Sequence, residues 1–173
     1  MRWKSAAVAM LMLLATTAAF AQKDVPFGWH KLAGTEMAER KPVDVLLRAD
    51  FDGDGKPDMA IILADDPGRA SGLFVYTTAT SRWAKLESAA VGKFGDRRIE
   101  LVKPATVETA CGKDAANDAC KNGVPAKVVL KRPAVRLLQG NDAPELFYWD
   151  RESKAMKKAP LPKAEDRELR TEN

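Results

Sequence analysis

The feature of this sequence that most constrains its fold is the acidic stretch RADFDGDGKPDMAII at residues 48–62. Four aspartates, Asp50, Asp52, Asp54 and Asp58, lie within nine consecutive positions there. Like charges confined to one short turn repel one another and raise each other's pKa values, so closing the turn calls for a compensating cation. A hard divalent cation such as calcium, which takes about six to eight oxygen ligands, removes that repulsion. The stretch therefore predicts a calcium loop.

The spacing of the aspartates suits a loop that wraps around one ion. Side chains at alternate positions converge on a common point as the chain turns, and Gly55 permits the sharp turn. The predicted ligands are four carboxylates and one main-chain carbonyl: Asp50, Asp52, Asp54 and Asp58, and the carbonyl of Lys56. A competing interpretation is a metal-free hairpin turn, which Asp-Gly pairs favour. That interpretation accounts for two of the aspartates but not for Asp50 and Asp58.

Two known calcium loops share part of this pattern. The first six positions from Asp50 match an EF-hand, but the twelfth position, where an EF-hand has a bidentate glutamate, holds Ile61. The full D-x-D-x-D-G-x-x-D pattern between two strands resembles the calcium loop of FG-GAP and VCBS-type repeats, which occur in the β-propellers of integrin α chains. The resemblance covers residues 43–88. It implies a four-stranded antiparallel unit, the same five ligands, and an ion that holds the loop together rather than taking part in catalysis.

Short apolar or alternating segments bounded by turn-forming residues predict a mainly β fold. We expect two antiparallel meanders, 43–88 and 98–159, which pack their apolar faces together as a blade-like pair or a sandwich. Pro133 cannot donate to a β-ladder, so the chain should turn there or form a sheet edge. Thr35 is a candidate cap for one short helix within 33–41. The predicted strands are 43–50, 58–65, 73–79, 82–88, 99–104, 126–132, 134–139, 145–150 and 154–159.

The first 21 residues are predicted to be a secretory signal. Arg2 and Lys4 give a basic start, residues 6–14 form a short apolar run, and Ala19 and Ala21 are small residues at the positions that a signal peptidase reads. A membrane anchor needs about 18 apolar residues or more, and this run is shorter. We therefore expect a periplasmic or secreted protein with no membrane span after the signal is removed.

The remaining chain is predicted to form one β-rich domain over residues 22–159. Residues 160–173 are charged and lack an apolar period, which indicates a disordered tail. Cys111 and Cys120 are the two cysteines of the chain, and in an exported protein such a pair predicts a disulfide. Closing the loop between them should contribute roughly 2.5–3 kcal/mol by the chain-entropy estimate.

The composition excludes some partners and leaves others open. The formal net charge of +4 falls by two without Arg2 and Lys4, and a near-neutral, mixed-charge surface gives no case for nucleic acid, which requires a basic patch. The sequence contains no G-x-S-x-G elbow, no G-x-x-x-x-G-K-[ST] loop and no H-E-x-x-H motif. The single histidine, His30, has apolar neighbours that indicate packing rather than general-base catalysis. No catalytic residue is therefore predicted.

Three functions are compatible with these observations, and a non-enzymatic one is favoured. The first is an exported, calcium-stabilised binding or scaffold module. The second is a hydrolase of the cell envelope with the ion near its active site, which would need a concave pocket that includes Asp58 or His30. The third is a secreted inhibitor or partner protein that uses the loop 111–120 as its contact surface. The sequence does not specify a partner or an oligomeric state.

Overall fold

The computed structural model describes residues 25–33, 45–90, 97–112, 120 and 123–163. As predicted, the protein is mainly β with antiparallel sheets, and its described part contains no α-helix; a 3-10 turn lies at Ala110–Gly112. Most of the predicted helix within 33–41 and all of the predicted signal lie outside the described residues. The strands are β1 Trp29–Lys31, β2 Leu46–Ala49, β3 Asp58–Asp65, β4 Ala70–Thr77, β5 Arg82–Ala90, β6 Arg97–Val102, β7 Thr106–Glu108, β8 Lys127–Val129, β9 Ala134–Gln139, β10 Glu145–Asp150 and β11 Ala155–Pro160.

The first sheet, sheet 1, has the order β1-β3-β4-β5, and β2 also pairs with β3. The predicted strand 58–65 coincides with β3. Strand β4 begins three residues before the predicted position 73, because the carboxylate of Asp65 closes a short turn. The Oδ1 atom of Asp65 accepts hydrogen bonds from the main-chain N–H groups of Arg69 and Ala70, at 2.6 and 2.7 Å. The loop predicted over 65–72 is therefore shorter in the structure.

Strand β5 contains a β-bulge. Leu73 lies opposite Glu87, whereas Phe74 lies opposite Lys85, so Leu86 is an extra residue on β5. The bulge bends the strand locally and increases its twist. Among the described strands, β5 pairs only with β4, so it forms one edge of sheet 1.

The second sheet, sheet 2, has the order β11-β10-β9-β6, and the short strands β7 and β8 form a separate ribbon. The sequence placed residues 126–132 in the second meander and did not predict β7. In the structure, β8 pairs with β7 instead of continuing the sheet, and the N–H of Leu130 donates to the carbonyl of Ala105 at 2.8 Å. The chain then bends before Pro133, as the missing N–H of proline led us to expect.

Two apolar clusters hold three layers together. The first lies between the sheets and is built from residues of both, including Ile62, Val75, Val135 and Phe147. The second packs the β7–β8 ribbon onto the other face of sheet 2 and includes Val128 and Leu146. The expectation that two antiparallel meanders pack their apolar faces together is thus met, with the ribbon as an additional layer.

Ordered packing extends slightly beyond the predicted domain end at residue 159. Strand β11 continues to Pro160, and Leu161 is only 2% exposed within the second apolar cluster. The N–H of Leu161 also donates to the carbonyl of Pro144 at 2.8 Å. Pro160 and Leu161, which were predicted to lie in the tail over 160–173, therefore belong to the packed part of the domain. Residues 164–173 lie outside the described part of the chain.

The strand β1 was not predicted, because three residues are too few for an alternating pattern to be recognised. Trp29 lies opposite Asp65 and contacts Phe74 edge-on at 4.7 Å between ring centroids. Phe74 in turn packs beside Trp83, so aromatic rings line the outer face of sheet 1. Nowhere in the described ranges is there a helix long and apolar enough to cross a membrane.

Candidate metal centre

The acidic stretch forms the connection between β2 and β3, at one end of sheet 1. Ala49 lies opposite Asp58 in the ladder, so residues 50–57 leave the sheet and return to it at the same level. Phe51 lies inside this connection, is 0% exposed, and belongs to the apolar cluster between the two sheets. The loop is thus attached to the core by an aromatic side chain placed between two aspartates.

Asp58 is the most deeply buried carboxylate of the loop, with only 1% of the residue exposed. Its Oδ2 accepts hydrogen bonds from the N–H groups of Phe51 at 3.0 Å and Asp52 at 3.3 Å. Its Oδ1 accepts one from the N–H of Thr78 at 2.8 Å. Burial raises the pKa of Asp58, with a smaller contribution from the negative charge of Asp52, while the three N–H donors oppose that rise.

The carboxylates of Asp50, Asp52 and Asp54 shape the remainder of the loop. Asp50 accepts hydrogen bonds from the N–H groups of Gly53 at 2.5 Å and Gly55 at 3.0 Å. Asp52 accepts one from Asp54 N–H at 3.0 Å, and Asp54 accepts one from the N–H of the lysine two residues later at 2.7 Å. Both glycines have positive φ angles, of 77° and 83°, which other residues rarely adopt. The chain therefore wraps around its own acidic side chains.

Three of the predicted ligands lie close enough to share one ion. Carboxylate oxygens of Asp50, Asp52 and Asp58 all lie within 4.8 Å of one another. Two ligands of one calcium ion, each at about 2.3–2.6 Å from it, are separated by at most about 5 Å. The spacing and the donor type of these three side chains therefore fit a hard cation such as calcium. The identity of the ion stays a prediction.

The structure does not gather all five predicted ligands. The carboxylate of Asp54 is not part of the group of three, and its residue is exposed. Its Oδ1 instead accepts the N–H of Lys56, so the side chain turns along the loop rather than towards Asp58. The roles of Asp54 and of the Lys56 carbonyl in binding an ion stay predictions.

A cationic side chain from elsewhere in the fold lies against the loop. Arg132 belongs to the connection between β8 and β9, and it is half-buried. A Cβ atom built on Gly53 would lie only 2.1 Å from Cζ and Nε of Arg132. The guanidinium group therefore occupies the space beside Gly53 that a side chain would otherwise fill. A basic residue before a proline carries no sequence signal for such a contact.

His30 lies at the opposite end of β3 from the acidic loop. It pairs with Ala64 in the ladder, and its Nδ1 lies 3.5 Å from Oδ1 of Asp66. Because Asp58 begins β3 and Ala64 lies near its end, the structure does not bring His30 and Asp58 together.

A groove of about 390 Å³ lies between the end of β5 and sheet 2, and its described lining includes neither Asp58 nor His30. Glu87 and Glu145 both line it, and the ammonium group of Lys158 donates to each of them, at 2.9 and 3.0 Å. The positive charge of Lys158 is thus paired with the negative charges of both glutamates. The groove therefore does not provide the pocket that the hydrolase hypothesis requires around Asp58 or His30.

The predicted disulfide between Cys111 and Cys120 is present, with the two Cα atoms 5.4 Å apart. Thr109, which precedes the first cysteine, is buried, and its hydroxyl donates to the carbonyl of Pro125 at 2.7 Å. One end of the cysteine loop is thus fixed to the segment that leads into β8. Residues 113–119 lie outside the described part, so the contact surface predicted for 111–120 stays a prediction.

Sequence reasoning missed two residues that position the loop. Phe51 is apolar within an otherwise polar stretch, and that contrast is a usable signal for an anchor. Thr78 donates from the β4–β5 turn, which follows the loop by twenty residues, and nothing local marks it.

Comparisons of the chain with protein-family models, with curated proteins and with solved structures gave no significant match.

Proposed function

We propose that this protein is an exported binding or scaffold module in which calcium closes one end of the β-sandwich. The observation that carries the proposal is the grouping of Asp50, Asp52 and Asp58 oxygens within 4.8 Å of one another. Asp58 is nearly inaccessible to solvent, and burial of a charged carboxylate is unfavourable unless a cation or donors offset it. A calcium ion would add to the three N–H donors already present.

The role of the ion is proposed to be structural. The loop is joined to the core through Phe51 and to the β4–β5 turn through Asp58, so an ion bound there would hold these parts in register. The nearby groups are carboxylates, main-chain donors and the guanidinium group of Arg132, and His30 lies at the far end of β3. The described residues offer no comparable observation in favour of the hydrolase or of the inhibitor.

The disulfide supports the proposal of export. Disulfides persist in oxidising compartments such as the periplasm or the extracellular space, and they are rare in the cytosol. The bond between Cys111 and Cys120 is therefore consistent with the signal predicted over residues 1–21.

Calcium titration of the metal-free protein tests the function. A ligand that binds only the native state stabilises it by about 2.7 kcal/mol at a concentration of 100 Kd. For a domain of this size, that corresponds to a rise in Tm of roughly 5–10 °C. We expect this rise for the wild type in scanning calorimetry, together with saturable heat in isothermal titration. A wild type whose Tm is unchanged by millimolar calcium would rule the proposal out.

Variants of the loop assign the binding to it. Asp52→Ala should abolish the calcium-dependent rise in Tm, since it removes one of the three gathered carboxylates. Asp54→Ala should weaken binding less, because that side chain lies outside the group. Glu152→Ala, in the exposed β10–β11 turn, is the matched control for loss of a carboxylate and should bind calcium as the wild type does. Equal loss of binding in Glu152→Ala would show that calcium binds elsewhere.

A further inference from the structure

The contact between Arg132 and Gly53 places a permanent positive charge against the acidic loop. Gly53 lies between Asp52 and Asp54, and Cζ, Nε and Nη2 of Arg132 all lie within 2.5 Å of the position that a Cβ on Gly53 would occupy. A guanidinium group carries a delocalised positive charge. The glycine at this position therefore makes room for a cation as well as for the turn.

Among the described residues, no single carboxylate pairs with the charge of Arg132. No ion pair within 4.0 Å joins Arg132 to an acidic side chain in the part of the chain that the structure describes. The guanidinium group instead acts on the loop as a whole, where four aspartates face a single lysine, Lys56. Because Arg132 is half-buried, its field is screened less than that of a fully solvated side chain.

A cation in this place has opposite effects on the two states of the loop. Without metal, it offsets part of the repulsion among the carboxylates and so stabilises the closed loop. With metal, it repels the divalent ion, which carries twice its charge and occupies the same region. The contact also crosses layers, because Arg132 lies two residues before β9 of sheet 2 while the loop belongs to sheet 1.

We propose that Arg132 is a tethered counter-cation of the acidic loop, which stabilises the metal-free protein and weakens the binding of divalent cations. The weakened binding of divalent cations, the second half of this inference, rests on the proposed calcium site. The stabilisation of the metal-free protein, the first half, does not. Arg132 would thereby set the calcium concentration at which the loop fills.

The test compares Arg132→Gln with Lys131→Gln, which removes the same charge from the adjacent exposed residue. In EDTA at low salt, Arg132→Gln should lower the Tm by several degrees relative to Lys131→Gln. The difference should shrink in about 1 M NaCl, where the Debye length is only about 3 Å. Arg132→Lys keeps the charge and should restore most of the lost Tm, which separates the effect of charge from that of packing.

Isothermal titration with calcium tests the second half. Removal of one positive charge a few ångströms from a divalent ion should tighten binding by about threefold or more at low salt. Lys131→Gln should change the affinity much less, and Arg132→Lys should bind as the wild type does.

Each outcome decides a separate statement. If Arg132→Gln matches Lys131→Gln in EDTA, or if Arg132→Lys fails to restore the Tm, the counter-cation is rejected whether or not calcium binds. If Arg132→Gln and the wild type bind calcium with equal affinity, the competition is rejected while the proposed function stands. If neither binds calcium, the proposed function and the competition both fail, and the EDTA measurements alone decide the stabilising role.

Discussion

Asp58 and Thr78 are twenty residues apart in sequence, and the main-chain N–H of Thr78 donates a hydrogen bond of 2.8 Å to Oδ1 of Asp58. The hydroxyl group of Thr78 also donates to the carbonyl of Pro57 at 2.7 Å. The acidic loop and the β4–β5 turn are therefore joined by two hydrogen bonds at the same end of sheet 1.

Asp58→Ala should destabilise the protein even in the absence of metal. The substitution leaves the N–H groups of Phe51, Asp52 and Thr78 without their acceptor, and each unsatisfied buried donor costs about 1–3 kcal/mol. Partial access of water to Asp52 and Thr78 reduces the sum, so we expect a loss of about 2–4 kcal/mol in urea unfolding with EDTA present. Asp54→Ala, at an exposed position, serves as the comparison. A loss below about 1 kcal/mol for Asp58→Ala would contradict the role of this carboxylate.

Phe51→Ala should be among the most destabilising substitutions in the loop. Phe51 is fully buried between the sheets, and truncation of a buried phenylalanine typically costs about 3–5 kcal/mol. Phe27→Ala is a matched control, because Phe27 is fully exposed, and it should change stability by about 0.5 kcal/mol at most. The urea midpoints of the two variants, compared with that of the wild type at a constant m-value, measure both changes in stability. Similar midpoints for the two variants would show that the loop does not depend on its aromatic anchor.

The Cys111→Ser, Cys120→Ser double variant should lose roughly 2.5–3 kcal/mol of stability, because the disulfide limits the conformations of the unfolded loop. Wild-type protein that is unfolded in the presence of a reductant should show the same loss of stability. The variant should retain the strand content of the wild type by circular dichroism, since the strands of both sheets lie outside residues 111–120. A fully unfolded variant would mean that the bond is needed for folding as well as for stability.

The β10–β11 hairpin should lose a stabilising interaction at acidic pH. The hydroxyl of Ser153 and the ammonium of Lys157 donate to Asp150 at 2.6 and 2.9 Å, and together with Ser153 N–H they lower the pKa of Asp150 from 3.8 to about 2. Because the folded-state pKa lies below the unfolded value, the unfolded chain takes up the proton first as the pH falls. The contribution is therefore complete above an unfolded pKa of 3.8 and lost as the pH approaches 2.

Comparison of the wild type with Asp150→Asn checks this expectation. The difference in Tm should be constant from neutral pH to about pH 5 and should close between about pH 4 and pH 2. Other carboxylates titrate in both proteins, so their effects cancel in the difference. A difference in Tm that persists unchanged at pH 2 would show that Asp150 does not have the lowered pKa.

The sequence predicted those parts of the fold in which local pattern and tertiary packing agree. Strand β3 was located at its observed bounds because a run of apolar residues lies between two turns. Strand β7 and its pairing with β8 were missed because Thr106–Glu108 is short and half-exposed, and because its partner lies about twenty residues away. Leu161 was assigned to a tail because a single apolar residue among charged ones gives no periodic signal.

The candidate site was predictable to the same extent. The alternation of Asp50 and Asp52 and the return at Asp58 are properties of the local chain, so the three carboxylates that come together could be named in advance. The direction of the Asp54 side chain depends on a hydrogen bond within the loop, which spacing alone does not reveal. The approach of Arg132 depends on how sheet 2 lies against sheet 1, and no local pattern contains that information.

The bulge at Leu86 has a consequence for how this protein behaves at high concentration. Among the described strands, β5 forms a border of sheet 1, and a straight strand of nine residues in that position would be a template for a neighbouring copy to extend the sheet. The extra residue bends this border at its middle, so an incoming strand cannot stay in register on both sides of Leu86. Deletion of Leu86 would straighten the border while Lys85 and Glu87 keep Phe74 and Leu73 as partners, favouring fibrous aggregates over dispersed monomers.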